Sequence, residues 1–137
     1  MKRKGSAVWK GGLKEGSGTV STESGVLKDQ QYSFKTRFED GIGTNPEELL
    51  AAAHAGCFSM ALSNQLSQHG LTAEKIETTS TVTMENLTIT AFHLDLVATI
   101  PGADPEKFEA AAKEAKEGCP VSRLFNAEIT LETKLVA

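Results

Sequence analysis

Cys57 and Cys119 are the only two thiols in this chain of 137 residues, and they are the side chains best suited to do chemistry. A thiol is a nucleophile only as its thiolate, so each of them needs something that lowers its pKa. Cys57 lies about three turns inside a candidate helix opening at Pro46, too deep for the positive end of the helix to help it much. Burial on its own would raise the pKa and leave the sulfur inert. If Cys57 reacts, a cation must therefore stand close by. Lys35 and Arg37 precede the helix, Arg37 being the nearer in sequence. A guanidinium is permanently charged and can hold a thiolate and a substrate oxygen together. Glu47 has no capping duty in the first turn, which frees it to pair with Arg37 and fix its direction. Cys119 stands before Pro120 at a helix start, where backbone N–H groups favour a thiolate, so on local physics it is the more acidic of the two.

Plainer readings compete with each of these. Cys57 could be a small hydrophobe filling a helix–helix contact. Arg37 falls on the polar side of an alternating segment, as a solvated charge would. Glu47 could serve only as an acidic partner of the helix N-terminus. His54 would need two further ligands to join Cys57 in holding a metal, and nothing nearby supplies them, so it reads as a core or interface histidine.

The elements that must position these residues are legible in outline. Ser6 to Lys10 and Ser17 to Thr22 flank a glycine-bearing turn and read as a hairpin. Gln31 to Phe38 alternates, with Tyr32, Phe34, Thr36 and Phe38 on one face, and predicts a strand. The central helix opens with Asn45 as N-cap, Pro46 at the first position and Glu48 reaching back as a capping box. It is expected to run to about Gln68, with Gly70 as its left-handed stop. Leu49 to Leu62 is apolar or small on every side, which predicts a helix buried all round. Lys75 to Met84 and Leu87 to Ile100 predict paired strands, the second with Phe92, Leu94, Leu96, Ala98 and Ile100 on one face. Asp104 and Pro105 open a second helix that buries Phe108, Ala111, Ala112 and Ala115 and stops at Gly118. Cys119-Pro120 opens a short helix to about Phe125. A strand with Ile129, Leu131, Thr133 and Leu135 inward closes the chain.

This order is that of a single α+β domain over residues 1–137. Its net charge of −4 gives no reason to expect a nucleic-acid partner. No hydrophobic run follows Lys2, Arg3 and Lys4, and the apolar centre of the long helix is too short to span a bilayer. A soluble, cytoplasmic protein is the default expectation. An all-apolar helix still lacks partners within one chain. Ala51, Ala52, Ala53, Ala55 and Gly56 would let a second copy approach closely, which predicts a two-fold homodimer.

The segments Gly18 to Leu27, Thr36-Arg37-Phe38-Glu39, Gly43 to Leu49, Ala53 to Leu62, Gly118 to Ser122 and Ala127 to Leu131 resemble, in order and over nearly the whole chain, the OsmC/Ohr family of hydroperoxide reductases, most closely its OsmC branch. The resemblance implies an intertwined homodimer with sheets wrapped around paired central helices, and thiol peroxidase chemistry with neither metal nor organic cofactor. Cys57 then matches the peroxidatic cysteine, and Cys119 in Gly-Cys-Pro the resolving cysteine. Arg37 matches the arginine that activates the thiolate, and Glu47 the carboxylate that orients it. Cys57 would become a sulfenic acid and close a disulfide with Cys119, to be reset by an external dithiol of lipoyl type. Apolar neighbours such as Phe58 and Met60 favour organic hydroperoxides over hydrogen peroxide. A redox sensor using the same disulfide, or a binding module using the apolar helix as a groove, are the alternatives.

Overall fold

The computed structural model describes residues 1–137 and contains six strands and four helices, the α+β mixture expected from the sequence. The chain divides into two compact units, residues 1–49 and 50–137.

The first unit is built on an antiparallel sheet of β1 (Gly5–Lys10), β2 (Ser17–Thr22) and β3 (Gln30–Tyr32), in that order. Gly18 is opposite both Trp9 and Tyr32. Its missing side chain lets those rings meet with centroids 5.5 Å apart; a Cβ there would come within 2.6 Å of both.

The strand expected over Gln31 to Phe38 ends early. Only Gln30–Tyr32 pairs with β2, and Phe34–Phe38 forms a short helix, α1. Ser33 caps it: its hydroxyl accepts from the Thr36 N–H while the Thr36 hydroxyl accepts from the Ser33 N–H, a reciprocal capping box. The apolar residues Phe34 and Phe38 that suggested a strand face are instead one helical turn apart, with ring centroids separated by 4.9 Å. Local side-chain bonds from Ser and Thr thus outcompeted the ladder that the alternation implied. Arg37 therefore projects from a helical turn.

The long helix α2 runs from Pro46 to Gln68, as expected. Asn45 caps it, its Oδ1 accepting from the Glu48 N–H at 2.7 Å. The carboxylate of Glu48 does not complete a capping box; it accepts from the Thr44 hydroxyl at 2.8 Å. At the other end Gly70 has φ +73°, and the N–H of Leu71 closes back on Leu66 O at 2.9 Å, the 6→1 bond of a Schellman stop. No helix is long and apolar enough to cross a membrane.

In the second unit β4 (Lys75–Glu85) and β5 (Thr88–Thr99) pair antiparallel, and β6 (Glu128–Val136) lies parallel on the other side of β5. That parallel pairing requires a crossover, supplied by α3 (Pro105–Gly118) and α4 (Pro120–Leu124). The inward face of β5, with Leu94, Leu96 and Ala98, packs with Phe58, Leu62 and Leu66 of α2 and Phe108, Ala111 and Ala115 of α3 in one core.

Within this chain α2 buries a single stripe, His54, Phe58, Leu62 and Leu66, at helical i, i+4 spacing. The expectation of burial on every side is not met by one chain: Ala52, Ala53, Gly56 and Met60 are exposed. One sheet and one amphipathic helix cover only the stripe that faces them.

Candidate active site

Both cysteines belong to the second unit, and both are free thiols. Cys57 comes from the middle of α2, where it is half-buried and packed against the core. Cys119 is the residue on which α3 ends and α4 begins, and it is fully buried. The two side chains are neighbours, with Cys119 near enough to raise the pKa of the Cys57 thiol. Together they line a cavity of about 420 Å³ whose wall also includes Met60, Ala61, Gln65 and Ala115. A cavity of that size holds a small organic molecule.

The electrostatics around Cys57 are those expected of a thiol without a cation. Burial pushes its pKa up, the Cys119 side chain adds to the rise, and the backbone of Val121 offers a hydrogen bond that pulls the other way. The one charged residue in the cavity wall is Glu114, which faces His69 at 3.3 Å. Nothing in that wall stabilises a thiolate by charge.

Arg37 and Glu47 lie in the first unit and are joined. Arg37 Nε donates to Glu47 Oε1 at 2.7 Å, with the arginine side chain 43% exposed and the glutamate 12%. Because Glu47 engages Nε, the two Nη groups are left to bind something else. The guanidinium also stands 5.5 Å from the centroid of Phe38, at the edge of a pocket walled by Trp9, Leu13, Tyr32 and Phe34. Of the four residues singled out in the sequence, the structure thus assembles two pairs, Cys57 with Cys119 and Arg37 with Glu47.

Ser122 is a polar residue of the site that the sequence reading did not single out. It is buried, and its hydroxyl is 2.7 Å from His54 Nε2 and 3.2 Å from Cys119 Sγ. Its position three residues after a cysteine that precedes a helix was the available signal, since the third residue of a helix turns its N–H back on the cap. That N–H does donate to Cys119 Sγ at 3.3 Å.

His54 is the core histidine expected from the sequence: fully buried, with its ring edge-on to Phe92 and Phe125. Burial holds its pKa below the ordinary value. The unfolded chain therefore binds a proton more readily than the folded one, so stability falls as pH drops through about 6.5 toward the depressed folded value. Urea unfolding between pH 5 and 7.5 should show this loss, with a slope of at most about 1.4 kcal/mol per pH unit from this group. His54→Gln should remove that part of the pH dependence.

A family model described as "OsmC-like protein" matches residues 39–134. The chain is 50% identical to "Peroxiredoxin OsmC" of Escherichia coli (strain K12) over 137 residues, covering 97% of this chain and 96% of that protein. It is 28% identical to "Organic hydroperoxide resistance protein OhrB" of Bacillus subtilis (strain 168), covering 86% of this chain and 90% of the other. The crystal structure of OhrB of Bacillus subtilis superposes with a TM-score of 0.66 at 26% identity, over 96% of this chain and 98% of that one. An OsmC-like protein from Mycoplasma pneumoniae superposes with a TM-score of 0.78 over 100% of this chain and 99% of that one, at 15% identity, and shows the shared fold alone.

Proposed function

Because the chain belongs to the OsmC-like protein family, we propose that it is a thiol-dependent peroxidase that reduces organic hydroperoxides, with Cys57 as the peroxidatic and Cys119 as the resolving cysteine. The observation that carries this reading is the presence of two neighbouring free thiols on the wall of one cavity. A lone buried cysteine would be packing; two on one cavity wall make a dithiol that can close.

In the first step the Cys57 thiolate attacks the distal oxygen of ROOH. A sulfur–oxygen bond forms, the O–O bond breaks, and the alkoxide takes up a proton and leaves as ROH. The sulfur is now a sulfenic acid. In the second step the Cys119 sulfur attacks Cys57, the S–O bond breaks, water leaves, and a disulfide remains. An external dithiol restores both thiols by exchange.

Arg37 is assigned the charge that Cys57 lacks. Burial and Cys119 both hold the Cys57 proton on, and no cation lines its cavity. The guanidinium, directed by Glu47, has Nη groups to spare for a thiolate and for the charge that develops on the splitting peroxide. Its own chain or a partner copy can be the source.

The partner is a second copy of the chain. Ala52, Ala53, Gly56 and the 79%-exposed Met60 form an apolar strip of α2 that this chain leaves uncovered, and small residues suit close helix contact. Light scattering at micromolar concentration should give the dimer mass, and a stable monomer would remove the homodimer from the account. Two free thiols suit a reducing compartment, which supports a cytoplasmic setting for the enzyme.

Peroxide consumption with excess dithiol tests the activity. Many turnovers per chain are expected. About one turnover would make the pair a sensor, and none would leave only a binding module.

A further inference from the structure

Two buried groups that the peroxidase scheme above does not use, Ser122 and His54, extend in a line from Cys119. The Cys119 thiol donates to the Ser122 hydroxyl at 3.2 Å, and that hydroxyl is 2.7 Å from His54 Nε2. His54 is joined to α4 across 68 residues of sequence, and nothing else bonds to its ring: Nδ1 is buried without a hydrogen-bond partner. A histidine retained at full burial with half its hydrogen-bonding capacity unmet calls for a reason. Phe92 and Phe125 stack with centroids 4.0 Å apart and both stand edge-on to the imidazole, which keeps the line dry.

Proton counting allows one continuous direction along the line. Ser122 Oγ accepts from the Cys119 S–H. Its own hydrogen is then free to point at His54 Nε2 in the tautomer that carries the ring proton on Nδ1, the form the relay uses. The imidazole is thus set as the terminal acceptor of the line.

We propose that Ser122 and His54 form a proton relay that deprotonates Cys119 as it attacks the oxidised Cys57 during disulfide closure. The proposal rests on the assignment of Cys119 as the resolving cysteine. As the S–S bond forms, the Cys119 proton moves to Ser122 Oγ while the Ser122 proton moves to His54 Nε2. The Cys57 S–O bond breaks and hydroxide leaves. The imidazolium then returns its proton through Ser122 to that hydroxide, giving water. Sulfur of Cys119 is oxidised, the sulfenic sulfur of Cys57 is reduced, and no further reagent enters. Burial disfavours a lasting imidazolium, so the proton is handed back once hydroxide has left.

Closure is measured by oxidising the reduced full-length protein with one equivalent of cumene hydroperoxide, quenching at intervals with dimedone, and following the Cys57–dimedone adduct by mass spectrometry. In Ser122→Ala the sulfenic acid should persist at least about tenfold longer than in the parent, within the range that positioned acid–base groups contribute. Ser122→Thr, which keeps a hydroxyl, should close at close to the parent rate. His54→Gln keeps an acceptor but takes up no proton, so it should be slow like Ser122→Ala. Parent-like closure in Ser122→Ala or in His54→Gln would overturn the relay. So would a delay in Ser122→Ala that Ser122→Thr shares in full, since Ser122 would then be packing. If the parent itself gave no adduct and no disulfide, the assignment of Cys57 and Cys119 would fail instead.

Discussion

A Cys57→Ser variant is expected to consume hydroperoxide no faster than buffer, a fall of at least about a thousandfold in kcat/KM, since removal of a nucleophile costs most of an enzyme's rate. The reason is chemical before it is structural. Cys57 is the half-buried thiol on the cavity wall, where a peroxide can reach it, whereas Cys119 on the same wall is fully buried. Serine nearly matches cysteine in volume and leaves the packing with Cys119 and the core in place, so the loss should appear without a change in unfolding midpoint. The hydroxyl cannot take the oxygen from a peroxide. Retained turnover would mean that the wrong sulfur has been assigned the first step.

Arg37→Ala is expected to lower kcat/KM by about a hundredfold to a thousandfold, the usual effect of removing one preorganised donor from a developing anion. A second readout separates this from a packing defect. Burial, with Cys119 adding to it, sets the Cys57 pKa above its ordinary value. An added positive charge shifts the pKa down, so its removal must shift it up. The thiolate fraction at neutral pH then falls, and the rate of Cys57 alkylation by iodoacetamide falls with it. The midpoint of the alkylation profile should move to higher pH in the variant. Glu47→Gln should give a smaller shift in the same direction, because Glu47 bonds Nε of Arg37 and in the proposed scheme acts only through the guanidinium. An unchanged profile in Arg37→Ala would mean that another group ionises Cys57.

The unequal legibility of this chain has physical causes. The long helix was plain because Asn45, Pro46 and Gly70 are local signals that act within a turn of where they stand. The face of β5 was plain because Phe92, Leu94, Leu96, Ala98 and Ile100 alternate without a break, and all are buried. Around Arg37 the same rule misled: Tyr32, Phe34, Thr36 and Phe38 alternate too, but Ser33 and Thr36 satisfy each other's backbone and turn the chain into a helix after Tyr32. Capping chemistry over four residues was stronger than a periodicity of eight. The apolar helix misled in another way, because apolarity on all sides describes what a helix needs and not what one chain supplies.

The site divides along similar lines. Each cysteine could be proposed from its type and its neighbours in sequence, but their contact depends on the crossover that returns α4 to α2, and no local pattern encodes that. The bond of Ser122 to Cys119 is local and could have been read, but its link to His54 could not, since that residue lies in another element. Glu47 was legible because the capping rule left it idle, and it is found on Arg37. The resemblance in sequence assigned the roles that neither spacing nor periodicity could.

One equivalent of cumene hydroperoxide added to the reduced protein, followed by alkylation of surviving thiols and peptide mapping, tests the pairing of the two sulfurs most directly. The account predicts a peptide pair joined through Cys57 and Cys119 within one chain, with neither thiol alkylated. Both thiols recovered in alkylated form, or Cys57 driven to sulfinic acid while Cys119 stays free, would contradict it.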